Sequence, residues 1–228
     1  FGGNISGGND RLYSIAADGS DRRLLFREAA RYGDEVPRYT PDGQSIVFVR
    51  CAGETCGVTS VRLDGTHLTS LTPLQEGQLD YWPTVSPDGT QIAFTRFFAG
   101  GITDQIYVMQ IDGSRLHPIT APALLANQPN WSPDGRRIAF SSNRLGGHIF
   151  DMSPRGNGVR QLTSTPYPLS DYGPAYSPTG RRIAFLSNRN YPDGCCRDLF
   201  VMSADGSHQV KVPTGLTAPS LPDWGPRT

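Results

Sequence analysis

Acidic residues occupy one recurring position of this chain and could together bind a cation. Asp34, Asp80 and Asp171 each stand three residues before a proline that recurs along the sequence, and Glu35 follows the first of them. Hard cations such as Ca²⁺ prefer several oxygen ligands. If the three aspartates surround one opening, they predict a site for Ca²⁺ or for the amine of a ligand. The competing interpretation is structural, because aspartates at strand starts also cap backbone amides.

Polar and aromatic residues next to these carboxylates extend the predicted site. The position after each aspartate holds a carboxylate or a tyrosine, and Trp82 adds a large aromatic ring. Aromatic anchors dominate many binding surfaces. The predicted ligand-binding residues are Asp34, Glu35, Asp80, Tyr81, Trp82, Asn127, Asp171 and Tyr172, of which Asp34, Asp80 and Asp171 form the predicted metal site.

Other residues with chemical potential have a simpler explanation. Asp42, Asp88 and Asp134 each lie in a repeated Pro-Asp-Gly turn, so we interpret them as turn formers. The sequence contains no Gly-x-Ser-x-Gly, His-Glu-x-x-His or phosphate-loop motif, and we assign no catalytic residue. Arginines that follow the second strand of each repeat are expected to pair with nearby acids or backbone; they are Arg50, Arg96, Arg144 and Arg189.

The four cysteines fall into two close pairs. Cys51 and Cys56 could form a disulfide across a short loop, which would suit an oxidising compartment. The adjacent Cys195 and Cys196 could form only a strained eight-membered ring, and four free thiols remain the alternative. Zinc binding is disfavoured because the pairs lack the usual two-residue spacing.

Charge and hydropathy exclude two classes of partner. The chain has 21 basic and 21 acidic residues, so its formal net charge is zero. This balance gives no electrostatic footprint for nucleic acid or for an anionic membrane surface. No apolar run approaches the ~18 residues that a membrane-spanning helix needs. We therefore expect neither nucleic acid binding nor membrane insertion.

The elements that must position these residues come from an internal repeat. The turn prolines Pro41, Pro87, Pro133 and Pro178 are separated by 46, 46 and 45 residues. A second series of Asp-Gly turns runs in phase with the first, as at Asp64 and Asp112. A repeat of this length with several short strands indicates a β-propeller.

Each repeat has the pattern of a four-stranded antiparallel blade. In the third copy, residues 127–132, 138–142, 148–152 and 160–163 alternate in polarity and are separated by turn residues. The chain ends are complementary, which predicts one domain of five blades, the last closed by both termini; an incomplete six-bladed ring is the alternative. The predicted repeat units are 34–72, 80–120, 127–163 and 171–212, with a composite blade from 1–26 and 220–228.

These motifs resemble the TolB-like propeller family, whose PD40 repeats are a WD40-like class. The resemblance rests on Pro129–Gly135 (PNWSPDG), on Ile106–Met109 (IYVM) and on the Ser-Asn-Arg at 142–144, and it covers essentially the whole chain. It implies a bacterial protein, often periplasmic or secreted, that often binds other proteins. Some members gate a peptidase, and related propellers are lyases. The chain departs from TolB itself because it shows no separate N-terminal α/β domain.

The loops indicate where such a propeller would work. Turns of the Pro-Asp-Gly and Asp-Gly type are short and uniform, whereas the connections on the opposite face, such as 51–56 and 97–104, differ between repeats. Function concentrates on variable loops held by a rigid frame. We expect a binding module for a protein or peptide on this face, with a small-molecule ligand also open. The alternative is a hydrolase, lyase or cyclase that uses the carboxylates and tyrosines named above.

Overall fold

A computed structural model describes most of the chain. The described residues are 2–3, 11–16, 18–26, 32–98, 100, 103–191, 193–215 and 221–224. Contacts divide the chain into two compact units, which are described separately. The first unit contains residues 1–102 and 108–116, and the second contains residues 103–107 and 117–228.

The first unit begins with a three-stranded antiparallel sheet and continues with longer strands. The opening sheet has the order β1-β2-β3, with β1 at Gly2–Gly3, β2 at Arg11–Ser14 and β3 at Arg23–Leu24. The next strands are β4 (Gly33–Tyr39), β5 (Ser45–Ala52), β6 (Thr55–Arg62), β7 (Thr69–Ser70), β8 (Gln78–Val85), β9 (Gln91–Phe98) and β10 (Asp104–Gln110), of which residues 104–107 belong to the second unit. Their order is β10-β9-β8-β6-β5-β4, with β7 paired to β6. The link between β6 and β8 is parallel, at Cys56 and Leu79.

The second unit holds two four-stranded antiparallel sheets. β11 (His117–Pro118) pairs with β10. The two four-stranded sheets have the orders β12-β13-β14-β15 and β16-β17-β18-β19. Their bounds are Ala126–Trp131, Ile138–Ser142, His148–Met152 and Arg160–Gln161, then Asp171–Tyr176, Arg182–Ser187, Asp198–Ser203 and Val210–Val212. Two 3-10 helices, Pro122–Leu124 and Arg144–Gly146, lie in the connections.

These sheets confirm the predicted all-β propeller fold with four-stranded antiparallel blades. The sheet β12–β15 matches the four strands predicted in the third repeat within one or two residues at most ends. The blade count of five or six stays a prediction. So does closure by residues 1–26 and 220–228, because residues 1, 4–10, 17, 220 and 225–228 lie outside the described residues.

Strands in the middle of each sheet are buried on both faces. Ile138, Ala139 and Phe140 of β13 are all fully buried. Ala139 belongs to one buried cluster with Ile183 and Phe185 of the next sheet. The small side chain at the centre of the Ile-Ala-Phe triplet therefore faces the large residues of its neighbour, and the two sheets pack closely.

The repeated acidic turns are held by their own side chains. Asp88 accepts hydrogen bonds from the Ser86 hydroxyl at 2.6 Å and from the Thr90 backbone N–H at 3.0 Å. Asp112 binds Ser114 in the same way in the Asp-Gly turn. These hydrogen bonds, led by those from Ser86 and Ser114, hold the pKa of both carboxyls below the ordinary value. Asp88 therefore forms a turn, as the sequence predicted.

The glycine of the Asp-Gly turn has a second task that the sequence did not reveal. Gly65 has φ +81°, and a Cβ atom there would lie 2.7 Å from the carbonyl oxygen of Leu25 in the preceding sheet. Gly113 approaches the carbonyl of Leu71 in the same manner, at 3.0 Å. Glycine thus provides both the left-handed turn and the close approach of neighbouring sheets.

This double role predicts unequal effects of two matching substitutions. Gly19 lies in the same turn type with φ +85°, but its Cβ would meet nothing within 4 Å. We expect Gly19→Ala to cost about 1 kcal/mol from the backbone alone. Gly65→Ala should cost about 1–3 kcal/mol more, because the new methyl group overpacks the contact with Leu25. Urea unfolding of both variants measures this difference, and equal losses would contradict the role in sheet packing.

Candidate functional site

The strand that begins each of four repeats, β4, β8, β12 or β16, contains a bulge at the predicted site. The pairing register shifts between Glu35 and Arg38, between Tyr81 and Thr84, and at the corresponding points of β12 and β16. Each shift contains a residue of positive φ followed by proline. These residues are Val36 (φ 50°), Trp82 (φ 53°), Gln128 (φ 54°) and Gly173 (φ 64°).

A sequence signal for these bulges existed in the recurring prolines. Pro37, Pro83, Pro129 and Pro174 each interrupt a strand, and proline occurs in strands only at edges and bulges. A branched or bulky residue at positive φ is strained and persists where the surrounding structure imposes it. Val36 and Trp82 are of this kind. The bulge therefore fixes the direction of the residues around it.

The aspartate that recurs in the first strand of the repeats forms an ion pair with an arginine of the neighbouring strand. Asp80 is fully buried and lies directly opposite Arg96 on β9, whose Nε and Nη2 donate to the two carboxylate oxygens at 2.7 and 2.8 Å. Asp34 and Arg50 repeat this arrangement at 2.8 and 3.1 Å. The guanidinium carbon of Arg96 also stands 5.4 Å from the centre of the Phe94 ring. Each pair thus joins the first two strands of its sheet.

In the second unit the position of this aspartate has different partners or a different residue. Asp171 is fully buried, and its carboxylate accepts hydrogen bonds from Arg189 at 2.9 Å and from the Thr165 hydroxyl at 2.5 Å. In the preceding sheet the position holds Ala126, which faces Ser142 across the ladder. The uncharged pair shows that the sheet forms without an ion pair here. The prediction that Arg50, Arg96 and Arg189 pair with acids is confirmed, whereas Arg144 opens a 3-10 helix.

These ion pairs involve the three aspartates of the predicted metal site. Within the described residues no group of three or more His, Cys, Asp or Glu side chains could hold a metal ion. Asp34 and Asp80 lie in the first unit and Asp171 in the second, and arginine balances the charge of each. A Ca²⁺ ion bound by Asp34, Asp80 and Asp171 stays a prediction, and it would have to compete with three guanidinium groups.

The residue after the aspartate position is Glu35, Tyr81, Asn127 or Tyr172, and its contacts differ between repeats. In the first unit the hydroxyl of Tyr81 lies 3.1 Å from Cys56 Sγ and 3.5 Å from Cys51 Sγ. The two sulfur atoms form a disulfide across the β5–β6 hairpin, with the Cα atoms 4.1 Å apart. Burial raises the pKa of the Tyr81 phenol, and the nearby Glu35 carboxylate raises it further. The Tyr81 hydroxyl therefore stays protonated, and it contacts the disulfide that closes the β5–β6 hairpin.

Three half-buried rings form an aromatic cluster around this tyrosine. The ring centres of Tyr81 and Trp82 are 5.8 Å apart, and Phe97 lies 6.2 Å from Tyr81 and 5.5 Å from Trp82. The angles between ring planes range from 48° to 75°, which favours edge contacts. We call Tyr81, Trp82 and Phe97 the aromatic cluster. The structure thus brings together three aromatic residues that the sequence placed only near the same face.

In the second unit the same position makes polar contacts. The buried Asn127 hydrogen bonds to Asp104, whose pKa is raised by burial and only partly lowered by this bond. Tyr172 accepts a hydrogen bond from Arg197 at 3.1 Å. The predicted site residues therefore take part in several local environments, and only the first unit shows them as an aromatic surface.

Removal of one buried charge should be more costly than removal of both. We expect Asp80→Asn to destabilise the protein by about 3–5 kcal/mol, because Arg96 would remain buried without its carboxylate. The double variant Asp80→Ala, Arg96→Ser copies the Ala126 and Ser142 pair and should recover most of this loss. Urea unfolding distinguishes the two variants. A double variant as unstable as the single one would contradict a charge-pairing role.

The disulfide predicts a specific thiol count. Cys195 and Cys196 are free, whereas Cys51 and Cys56 are bonded. Protein made in an oxidising compartment and then denatured without reductant should show two reactive thiols by titration. The count should rise to four after reduction. Four thiols before reduction would contradict the disulfide.

Comparison with known proteins places the chain among bacterial propellers. The family model for the TolB beta propeller domain (PD40) matches residues 33–228. The Tol-Pal system protein TolB of Anaeromyxobacter dehalogenans is 34% identical over 165 residues, which cover 67% of this chain and 35% of the relative. The chain spans less than half the length of the other curated relatives with comparable identity.

Solved structures show the same fold. The crystal structure of TolB from Acinetobacter baumannii has a TM-score of 0.74 at 20% identity and covers 90% of this chain and 49% of that one. A puromycin-hydrolysing peptidase of Mycobacterium tuberculosis has a TM-score of 0.71 at 16% identity, covering 96% of this chain and 37% of the peptidase. The repeated sheets, their turn motifs and the family match over residues 33–228 show that this chain belongs to the TolB β-propeller (PD40) family.

Proposed function

We propose that this chain is a binding module that recognises a protein or peptide partner through the aromatic cluster. The cluster and the disulfide hairpin lie at the ends of β5, β8 and β9 that carry the variable connections of the first unit. A relative of the same family carries the name of a Tol-Pal system protein. The observation that carries the proposal is the grouping of Tyr81, Trp82 and Phe97, all only half-buried.

Such a cluster suits recognition of another chain. Aromatic rings offer a large contact area at a low cost in side-chain entropy, and they are enriched among residues that dominate binding energy. The positive φ of Trp82 fixes its backbone at the bulge, and Phe97 packs against its ring. A surface that is already ordered loses little entropy when a partner binds.

The disulfide contributes to the same preorganisation. Cys51 and Cys56 close the hairpin on which the Tyr81 hydroxyl rests. A protein that relies on this bond works best outside reducing compartments. The proposal therefore includes a periplasmic or secreted location. Among the described residues, no helix has the length and apolar character that crossing a membrane requires.

The enzyme hypothesis has less support from the contacts. Both oxygens of Asp34 and of Asp80 already accept guanidinium hydrogen bonds, so neither carboxylate is placed to act on a substrate. The likeness to a peptidase is a likeness of fold, and function depends on sites that differ within a fold. A binding role agrees better with the paired acids and the half-buried rings.

Peptide selection tests the proposed surface. Peptides selected from a random library on the folded protein should bind the unaltered chain and lose about tenfold or more in affinity for Trp82→Ala, because an aromatic anchor contributes about 2 kcal/mol or more. Fluorescence polarisation measures the affinities of individual peptides. A small-molecule ligand in place of a peptide would appear as failure of every selection.

A matched control keeps the test specific. Tyr39 is an exposed aromatic residue at the far end of the first strand β4, next to the Pro-Asp-Gly turn. Tyr39→Ala should leave peptide affinity unchanged. Equal losses in the two variants, or selected peptides that do not sense Trp82→Ala, would contradict the proposal.

A further inference from the structure

A buried carboxylate in the second unit is held by two arginines. Asp151 on β14 is fully buried, and both its oxygens accept hydrogen bonds from Arg137 and from Arg160 at 2.5–3.1 Å. Burial would raise the pKa of Asp151, but the hydrogen bonds from Arg160 and Arg137 outweigh it and the pKa lies below the ordinary value. We call Arg137, Asp151 and Arg160 the arginine triad.

The triad occurs in only one of the repeats that the structure describes. Val108 and Val201 replace Asp151 in the equivalent Ile-x-x-Met and Leu-x-x-Met strands. The position of Arg160 holds Val210 in the next sheet, where it faces Val201. A buried ion network is weak evidence for stability, because apolar residues of similar volume serve as well. The neighbouring sheet shows the apolar solution directly, so stability alone does not explain the triad.

The two arginines of the triad have N–H donors that Asp151 does not use. One carboxylate balances only one of the two guanidinium charges. Each arginine uses Nε and Nη2 on Asp151, and Arg137 Nη2 also donates to the carbonyl of Gly158. Among the described residues, Nη1 of neither arginine has a hydrogen-bond partner. Each Nη1 carries two N–H donors in the planar arrangement that suits a carboxylate or phosphate.

A cavity adjoins these donors. It has a volume of about 300 Å³ and is lined by Arg137, Arg160 and Tyr176 together with the two Pro-x-Gly turns at Pro133 and Gly180. This volume is at the lower end for small-ligand sites. Burial raises the pKa of Tyr176 above the ordinary value for tyrosine, and so does the charge of Asp151. Its hydroxyl therefore stays protonated and donates to Asp151 Oδ2 at 3.4 Å.

The surrounding sequence adds positive charge at the cavity. Arg136 and Arg137 follow the turn at Pro133, where earlier repeats have Gln44–Ser45 and Thr90–Gln91. Arg182, at the position of Arg137 in the next repeat, lines a separate cavity. Thr179 also replaces the turn aspartate of the other repeats. Asp134 lines the cavity and opposes this trend, as does Asp205 near Arg160. Among the residues that line the cavity, the two arginines still outnumber the one aspartate.

We propose that this cavity binds the carboxylate or phosphate group of a small ligand through Arg137 and Arg160. The two guanidinium groups are already oriented by Asp151, so an oxyanion would meet donors in fixed positions. Such preorganisation reduces the entropic cost of binding. The site lies beside the Pro-x-Gly turns of the second unit and is independent of the aromatic cluster in the first unit.

Calorimetric titration with inorganic phosphate and with succinate tests the site. We expect saturable binding of at least one of them with a dissociation constant below about 10 mM. The tighter of the two identifies phosphate or carboxylate as the preferred group. Arg160→Gln leaves the pair of Arg137 and Asp151 intact and should weaken binding about tenfold or more, the usual effect of losing a charged hydrogen bond.

Two further variants make the test specific. Arg182→Gln, at the position of Arg137 in the next repeat, should leave the affinity unchanged. Asp134→Thr copies Thr179 and should strengthen binding up to about fivefold, since it removes a like charge from the rim. The proposal is overturned if neither anion binds below about 10 mM, or if Arg160→Gln and Arg182→Gln weaken binding equally. It also fails if Arg160→Gln does not fold and Asp134→Thr leaves the affinity unchanged.

Discussion

Close packing of neighbouring sheets is the constraint on which the rest of each unit depends. A sheet that is covered on both faces must present small groups where its neighbour presents large ones. Ala139 provides this complement in the middle of β13, and glycine of the Asp-Gly turn provides it at the outer strands, where Gly65 and Gly113 lie against backbone carbonyls. The small central residue of the apolar triplet and the glycine of the Asp-Gly turn both meet this requirement.

Each first strand combines a constant position with variable ones. In the first unit the aspartate position joins two strands through a buried ion pair with the arginine directly opposite, whereas Asp171 lies opposite Ser187 and pairs with Arg189. Ala126 and Ser142 occupy this position without charge. The following residues at the bulge differ between repeats, from Tyr81 and Trp82 to Gln128. The repeated residues therefore maintain the structure, and the binding surface that we propose uses those that vary.

The two proposed sites follow this division in different places. The aromatic cluster uses the variable residues at a bulge, beside a disulfide that orders the hairpin below it. The arginine triad uses a single repeat in which valine is replaced by Asp151. Both are local departures from the regular repeat, and such departures are expected at functional sites.

The repeat, the strands and the turns can be predicted from the amino-acid sequence, because they depend on local rules. Proline, aspartate and glycine set turn geometry within a few residues, and alternating polarity marks a strand. The tertiary structure alone decided which side chains meet. Arg96 reaches Asp80 across sixteen residues, and Arg160 reaches Asp151 from another strand. Residue type and spacing predicted that these arginines pair with acids, but not which acid each one meets. A bulge changes the side to which later residues point, so the sequence could not show that Tyr81, Trp82 and Phe97 form one cluster.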